Sequence, residues 1–217
     1  MHATFGLGLL QMPTASDMDR LETFFKDRKV PVHHEVCPLT DKALLPLLNQ
    51  RGYRPIELSQ VMYLPLSEVA GSVAARNEGL QVRAVSEKER DLWAVTAAEG
   101  WRDFTEIADL IRDLMRVSAT REDGACFLVE LNGQPIAAGA LTIHDGVALL
   151  AGASTVPEWR RRGAQWVLLQ SRLQYARRAG CDIAMVCAEP GSASQRNSER
   201  QGFRIAYTRI KWGLTTA

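Results

Sequence analysis

Thr155-Val156-Pro157-Glu158-Trp159-Arg160-Arg161-Arg162-Gly163-Ala164-Gln165 stands between an apolar run and a stretch with helical spacing. The run before it, Val147 to Val156, reads as a strand. Behind it Trp166, Leu169, Leu173 and Ala176 recur on one helical face, and Gly180 ends the helix. A basic turn with a glycine at a helix start suits an anionic group. The first N–H groups of a helix lack partners and carry partial positive charge, so a phosphate satisfies both. A lone Arg-Arg-Arg is usually a solvated turn; the strand before it, the helix after it and Gly163 favour the anion site. A pyrophosphate held there implies an enzyme that uses a nucleotide-containing cofactor.

Outward from the turn, three strand-like runs are joined by hairpin dipeptides. Cys126 to Leu131 is followed by Asn132-Gly133, Ile136 to Ile143 by Asp145-Gly146, and then comes Val147 to Val156. Asn-Gly and Asp-Gly tolerate the positive φ that two-residue hairpins require, which predicts an antiparallel meander. Upstream, Leu80 to Val85 alternates as a strand. Ile107, Leu110, Ile111, Leu114 and Val117 then share a helical face, with Thr105 placed to cap it. Downstream, Cys181 to Ala188 reads as a buried strand, Pro190-Gly191-Ser192 opens a short helix ending at Gly202, and Phe203 to Trp212 is a last strand. The order β-α-α-β-β-β, turn, α-β-α-β predicts an α/β chain, an α+β arrangement on a mixed sheet. Gly71 to Gly79 is small, polar and aperiodic. It divides the chain into 1–70, a linker at 71–79, and a complete domain at 80–217.

Bulk properties exclude several classes. The 217 residues are 46% hydrophobic and 24% charged, ordinary values for a globular chain. With 26 Lys+Arg against 25 Asp+Glu the net charge is +1, so no global field favours nucleic acid or an anionic membrane. No run approaches the roughly 20 apolar residues that cross a bilayer. The apolar stretch Phe5 to Leu10 lacks a preceding basic residue and is too short for a signal peptide. Cys37, Cys126, Cys181 and Cys187 form no CxxC pair and read as reduced thiols of a cytoplasmic protein.

The chain also repeats itself at an offset of 150. Arg28/Arg178, Val36/Val186, Cys37/Cys187, Gly52/Gly202 and Arg54/Arg204 are identical, and Tyr53 matches Phe203. Both segments read helix, strand, short helix, strand, which favours duplication. The first copy has no Arg-rich glycine turn; its equivalent is Phe5 to Thr14. It is expected to keep the fold and to have lost the phosphate site.

These features resemble the GNAT superfamily of acyltransferases, over roughly Leu80 to Leu214. The family's acyl-CoA signature, Arg/Gln-x-x-Gly-x-Gly/Ala after a V-x-P-E strand end, is matched by Thr155-Val156-Pro157-Glu158 and Arg160 to Gln165. Gln165 stands where the family has Gly or Ala. A second likeness is Ser194-Gln195-Arg196-Asn197-Ser198-Glu199-Arg200-Gln201-Gly202-Phe203, similar to the motif that packs beside the pantetheine arm. The resemblance implies acetyl-CoA as co-substrate, lying in a V-shaped split between the strands Val147–Val156 and Cys181–Ala188. It implies cofactor contacts from Thr155, Val156, Arg160, Arg161, Arg162, Gly163, Ala164, Gln165, Ser194 and Asn197, with a backbone N–H near Thr155 polarising the thioester carbonyl. A neutral amine then attacks the thioester directly, and no metal is needed.

Catalytic residues stay unassigned. Relatives carry a Tyr as the thiolate's proton donor where this chain has Ser198, and Tyr207 is an alternative. Glu99, Glu130, His144 and Asp145 are available bases, none singled out by spacing. His33, Glu35 and Cys37 fall on one strand face by alternation, a spacing open to metal ligands, but Cys37 matching Cys187 favours a core explanation. Gly6-Leu7-Gly8 is only a fragment of a dinucleotide fingerprint. Trp93, Trp101 and Phe104 are divided between core and an acceptor wall. The expectation is an acyl-CoA-dependent N-acyltransferase acting on a small-molecule or peptide amine, with no nucleic-acid or membrane partner. A non-catalytic acyl-CoA-binding module is the alternative. Completing the sheet, covering the cleft or forming an interface, such as a homodimer's, are all open to the N-terminal part.

Overall fold

The structure, a computed structural model, describes residues 3–69, 79–103 and 108–214. The stretch 71–78 of the expected linker, and Phe104, Thr105 and Ile107, lie outside the described residues. The chain forms two compact units: residues 63–186, and residues 1–62 together with 187–217.

In the 63–186 unit the strands are β4 (Leu80–Ala84), β5 (Gly124–Leu131), β6 (Gln134–His144), β7 (Val147–Thr155) and β8 (Ile183–Ala188), the last of which runs on into the other unit. Their order is β8-β7-β6-β5-β4. All neighbours are antiparallel except β7 and β8, which are parallel. The expected hairpins form: Asn132 and Gly133 have φ of 52° and 78°, and Asp145 and Gly146 have 45° and 75°.

Alternation along the strands separates the helices. Cys126, Leu128, Ala138 and Ala140 pack with Trp93, Met115 and Ala119 of α3 (Arg90–Glu99) and α4 (Ala108–Ala119). Phe127, one residue out of phase, meets Tyr175 of α5 (Ala164–Arg178) edge-on, with ring centroids 5.4 Å apart. The layers are therefore α3 and α4, sheet, α5. The face of α4 turned to this core carries Ile111, Met115 and Ala119, not the whole expected stripe; Leu110 and Val117 are exposed. Trp93 is wholly buried and Trp101 is 38% exposed, which divides the aromatic group between core and surface.

The other unit holds β1 (Thr4–Phe5), β2 (His33–Val36), β3 (Tyr53–Pro65, its end crossing into the first unit) and β9 (Arg204–Leu214), in the order β1-β2-β9-β3. Its helices are α1 (Ala15–Asp27), α2 (Leu44–Gln50) and α6 (Ala193–Glu199). Met18, Phe25, Val36, Leu44, Leu48, Tyr53 and Trp212 make its core. The 150-residue offset carries α1 onto α5, β2 onto β8, α2 onto α6 and β3 onto β9. Gly52 and Gly202 both follow a short helix with positive φ, 86° and 92°, and Tyr53 and Phe203 after them are both buried.

Candidate active site

The Arg-rich turn begins where β7 ends. Pro157–Trp159 makes one 3-10 turn, in which the Trp159 N–H donates to Val156 O at 2.9 Å and the Arg160 N–H to Pro157 O at 3.2 Å. Arg161 (φ 63°) and Gly163 (φ 86°) are left-handed, and the chain then enters α5 directly. Gly163 is the N-cap and has no side chain to accept the first helical N–H groups, and no acid stands in the first turn. The donors of Ala164 and Gln165 thus sit uncapped at the positive end of a 15-residue helix.

The strand edge beside the turn is also open. Pairing between β7 and β8 covers Val147–Leu149 with Ile183–Met185, whereas β7 continues to Thr155. The Val156 N–H donates to Ile136 O at 2.9 Å. By alternation, the N–H and C=O of Thr155 point to the edge facing away from β6. Gln165, which replaces the small residue of the signature, uses its Nε2 to donate to Thr155 Oγ1 at 2.7 Å. It ties the helix start to the strand end.

A bulge between Ala138 and Ala140 turns β7 at this level. It is held from both faces. Trp93 Nε1 donates to Gly139 O at 3.2 Å from the α3 side. From the α5 side Arg172 Nη1 donates to Ala140 O at 3.0 Å and Ala151 O at 3.3 Å. Arg172 is 3% exposed, and among the described residues no carboxylate pairs with it. Burial pulls its pKa down to about 10, so it remains a cation at neutral pH. Gly139 allows this approach, since a Cβ there would lie 3.0 Å from Leu168 Cδ2 and 3.2 Å from Arg172 Nη1.

The three arginines, all exposed, are not equivalent. Arg162 lies over the Trp159 ring at 4.8 Å. Arg160 turns back, with Nη1 donating to Asp103 Oδ2 at 2.8 Å, Nη2 to Gly100 O at 3.0 Å and Nε toward Thr155 O at 3.4 Å. Beside the turn a cavity of about 540 Å³ is lined by Leu92, Val95, Arg102, Val156, Glu158 and Trp159, among others.

The candidate bases are engaged elsewhere or solvated. Glu130 pairs with Arg83 at 2.9 Å, and Glu99 pairs with Arg102. His144 and Asp145 form an exposed pair 3.3 Å apart at a hairpin tip. Tyr207 lies on β9 in the other unit, where burial raises its pKa. Ser198 is buried and donates to Ser194 O at 3.1 Å within α6. Ser194 and Asn197 are exposed on α6, Asn197 accepting from Arg200 Nη1 at 3.2 Å. Glu35 sits 2.8 Å from Arg209 Nε and 3.7 Å from Lys211 Nζ, so the His33-Glu35-Cys37 face carries ion pairs. Among the described residues no cluster suited to a metal occurs.

The equivalent region of the N-terminal repeat is closed. Thr14 caps α1 in a reciprocal box: the Asp17 N–H donates to Thr14 Oγ1 at 3.1 Å and the Thr14 N–H to Asp17 Oδ2 at 3.0 Å. That bond holds the Asp17 carboxyl below its usual range, so the helix start already bears an anion. Past β1 the Asp41 N–H donates to Gly8 O at 3.1 Å, joining the segments that follow β1 and β2.

Sequence reasoning missed Gly100, Asp103 and Arg172. The signal for Arg172 was present, since it lies three residues after Leu169 and four before Ala176 on an otherwise apolar face.

Comparison with known proteins identifies the family and the fold. The model of the acetyltransferase (GNAT) domain matches residues 66–188, more than half of the chain. A GCN5-related N-acetyltransferase from Kribbella flavida superposes with a TM-score of 0.70 at 19% identity, covering 93% of this chain and 75% of that one. One from Sphaerobacter thermophilus gives 0.67 at 20% identity, with 93% and 68% covered. A tandem GNAT protein from the clavulanic acid biosynthesis pathway gives 0.64 at 13% identity, with 88% and 67% covered. No curated protein matches the sequence.

Proposed function

Because the chain belongs to the GNAT acetyltransferase family, we propose that its Arg-Gly turn holds the pyrophosphate of acetyl-CoA for acetyl transfer to a primary amine. The observation that carries this is the uncapped start of α5 behind left-handed Gly163, next to the free edge of β7. Thr155, Val156 and Arg161 to Gln165 form this cradle, and Arg160 enters it through its place in the turn, its guanidinium being turned back onto Asp103 and Gly100. Ser194 and Asn197 are assigned to the pantetheine arm by the family motif alone. In the reaction the amine nitrogen bonds to the thioester carbon and the C–S bond breaks. The amine gives up a proton and the thiolate takes one. The chain contributes donors at the turn and the outward N–H of Thr155, with the buried Arg172 cation behind the β7 bulge.

We further propose that residues 1–70 are a GNAT-like copy without a cofactor site, ahead of a linker at 71–79 and the full domain at 80–217. Four free thiols suit a cytoplasmic setting. A second reading, acyl-CoA binding without turnover, is favoured by Ser198, whose hydroxyl is engaged within α6.

Calorimetry with acetyl-CoA tests the site. Gly163→Asp, which puts a carboxylate among the donors, is expected to weaken binding at least about tenfold. No binding by the intact protein, or equal binding by the variant, overturns the assignment. Thiol release from acetyl-CoA across a panel of amines separates enzyme from binding module.

A further inference from the structure

Residues 102–103, just past α3, and the turn at 158–160 carry reversed charges. Arg102 pairs with Glu158, and Asp103 pairs with Arg160 at 2.8 Å, so each side supplies one cation and one anion. Isolated exposed pairs contribute little. This pair is not isolated, because the Arg160 guanidinium also reaches Gly100 O and Thr155 O and so joins the end of α3 to the end of β7 through three acceptors on one rigid fork. Ser154 Oγ adds a bond to Ala97 O at 2.8 Å, and Gly100 has no side chain to hold the segments apart.

From this we infer that Arg160 is a positioning residue, not a phosphate ligand. Its side chain clasps the C-terminal end of α3 to the anion turn, so that occupation of the turn is felt in residues 97–103. Three of its five N–H groups, one on each nitrogen, already face protein acceptors and fix the plane of the fork toward α3, which leaves the phosphate mainly to the backbone donors and to its arginine neighbours. Asp103 is the clasp's other half, and it lies outside any motif that binds an anion. The inference rests on the proposed CoA site for its ligand, but the clasp itself is a property of the free protein.

A double-mutant cycle with CoA as the titrant tests it. Arg160→Gln and Asp103→Asn are each expected to weaken CoA binding about threefold, and the double variant no more than Arg160→Gln alone. In wild type, CoA slows amide hydrogen exchange at residues 97–103, and in Asp103→Asn that protection is lost. Additive effects, or wild-type affinity in Asp103→Asn beside a large loss in Arg160→Gln, would show a direct phosphate ligand and overturn the inference. If wild type does not bind CoA, the proposed site fails and exchange in the free protein decides the clasp. Both single variants then speed exchange at 97–103, Arg160→Gln the more because it also loses the bonds to Gly100 O and Thr155 O, and unchanged rates refute it.

Discussion

Gly100→Ala isolates the close approach of α3 to the end of β7. Gly100 has φ −64° and ψ −15°, ordinary helical values, so alanine meets no backbone objection. On propensity alone the change stabilises by about 0.4–1 kcal/mol, through lost freedom in the unfolded chain. Sterics reverse the sign. The new Cβ would lie 2.4 Å from both Cβ and Oγ of Ser154 and 3.0 Å from the Thr155 nitrogen. Carbon atoms prefer about 3.5–4.0 Å, so helix or strand must shift by more than about 1 Å. Ser154 cannot rotate away from a clash with its own Cβ, and its Oγ is bonded to Ala97 O at 2.8 Å. Overpacking of this kind costs about 1–3 kcal/mol, and a clash at 2.4 Å with a Cβ that cannot rotate away belongs at the upper end, leaving a net loss of about 2 kcal/mol.

Because the shift moves the outward N–H of Thr155 and the carbonyl that receives Arg160, CoA binding should weaken severalfold as well. Urea unfolding followed by circular dichroism reads the first effect, and calorimetry the second. Adding Ser154→Gly to Gly100→Ala removes the opposing Cβ and should recover affinity, though not full stability, because the bond to Ala97 is gone. A Gly100→Ala protein as stable as wild type, with unchanged CoA affinity, would refute the contact and the role given to it.

Two more perturbations address buried polar groups. His34 is fully buried with its Nε2 unpartnered, and burial pulls its pKa down to about 4. The unfolded chain therefore binds the extra proton from about pH 6.5 downward. Stability is complete above that value and falls by about 3 kcal/mol as pH drops through 4. Urea unfolding between pH 7 and 4 should show a steeper decline for wild type than for His34→Asn, and parallel curves refute the assignment. Arg172→Met leaves the carbonyls of Ala140 and Ala151 without their buried donor and should cost about 1–3 kcal/mol, part of the loss being offset by removal of a buried charge. Hydrogen exchange near residues 138–140 and 151–153 should quicken; unchanged stability and exchange argue against the clamp.

Residues whose chemistry is local could be read in the sequence. Asn132-Gly133 and Asp145-Gly146 prescribe their own φ values, and the meander follows. Gly163 before a helical pattern prescribes an uncapped helix start, and the structure has one. What stayed hidden depends on partners distant in the chain. Arg160 reads in the sequence as one of three equivalent arginines, because its partner Asp103 lies 57 residues earlier, where nothing marks it. The α4 stripe failed for a related reason. Its periodicity named a face, but the side chains that pack are decided by where α3 and the sheet stand, and those select Ile111, Met115 and Ala119. Cys37 falls outside β2, and Arg209 and Lys211 come from β9 to occupy the Glu35 carboxylate.

In the two segments matched at the 150-residue offset, little separates the proposed phosphate site from a closed helix start. Both present a helix behind a short loop, followed by a strand, a second helix and a strand at matched positions. In one, Thr14 accepts the Asp17 N–H, and the Asp17 carboxylate lies against the helix's positive end. An approaching phosphate there meets a satisfied donor and a like charge. In the other, Gly163 offers no acceptor, the first turn holds no acid, and Arg161 and Arg162 bring cations. The strand edges follow the same division, since Gly8 O is bonded by Asp41 N–H while β7 runs past its pairing with β8. Retention of the fold therefore demands nothing of the proposed anion site: the cap that closes α1 is itself stabilising, by about 1 kcal/mol over alanine and by roughly a few tenths over glycine. On the proposed reading, a segment relieved of binding gains a little stability by closing, whereas the one that keeps Gly163 holds its first helical donors for an anion.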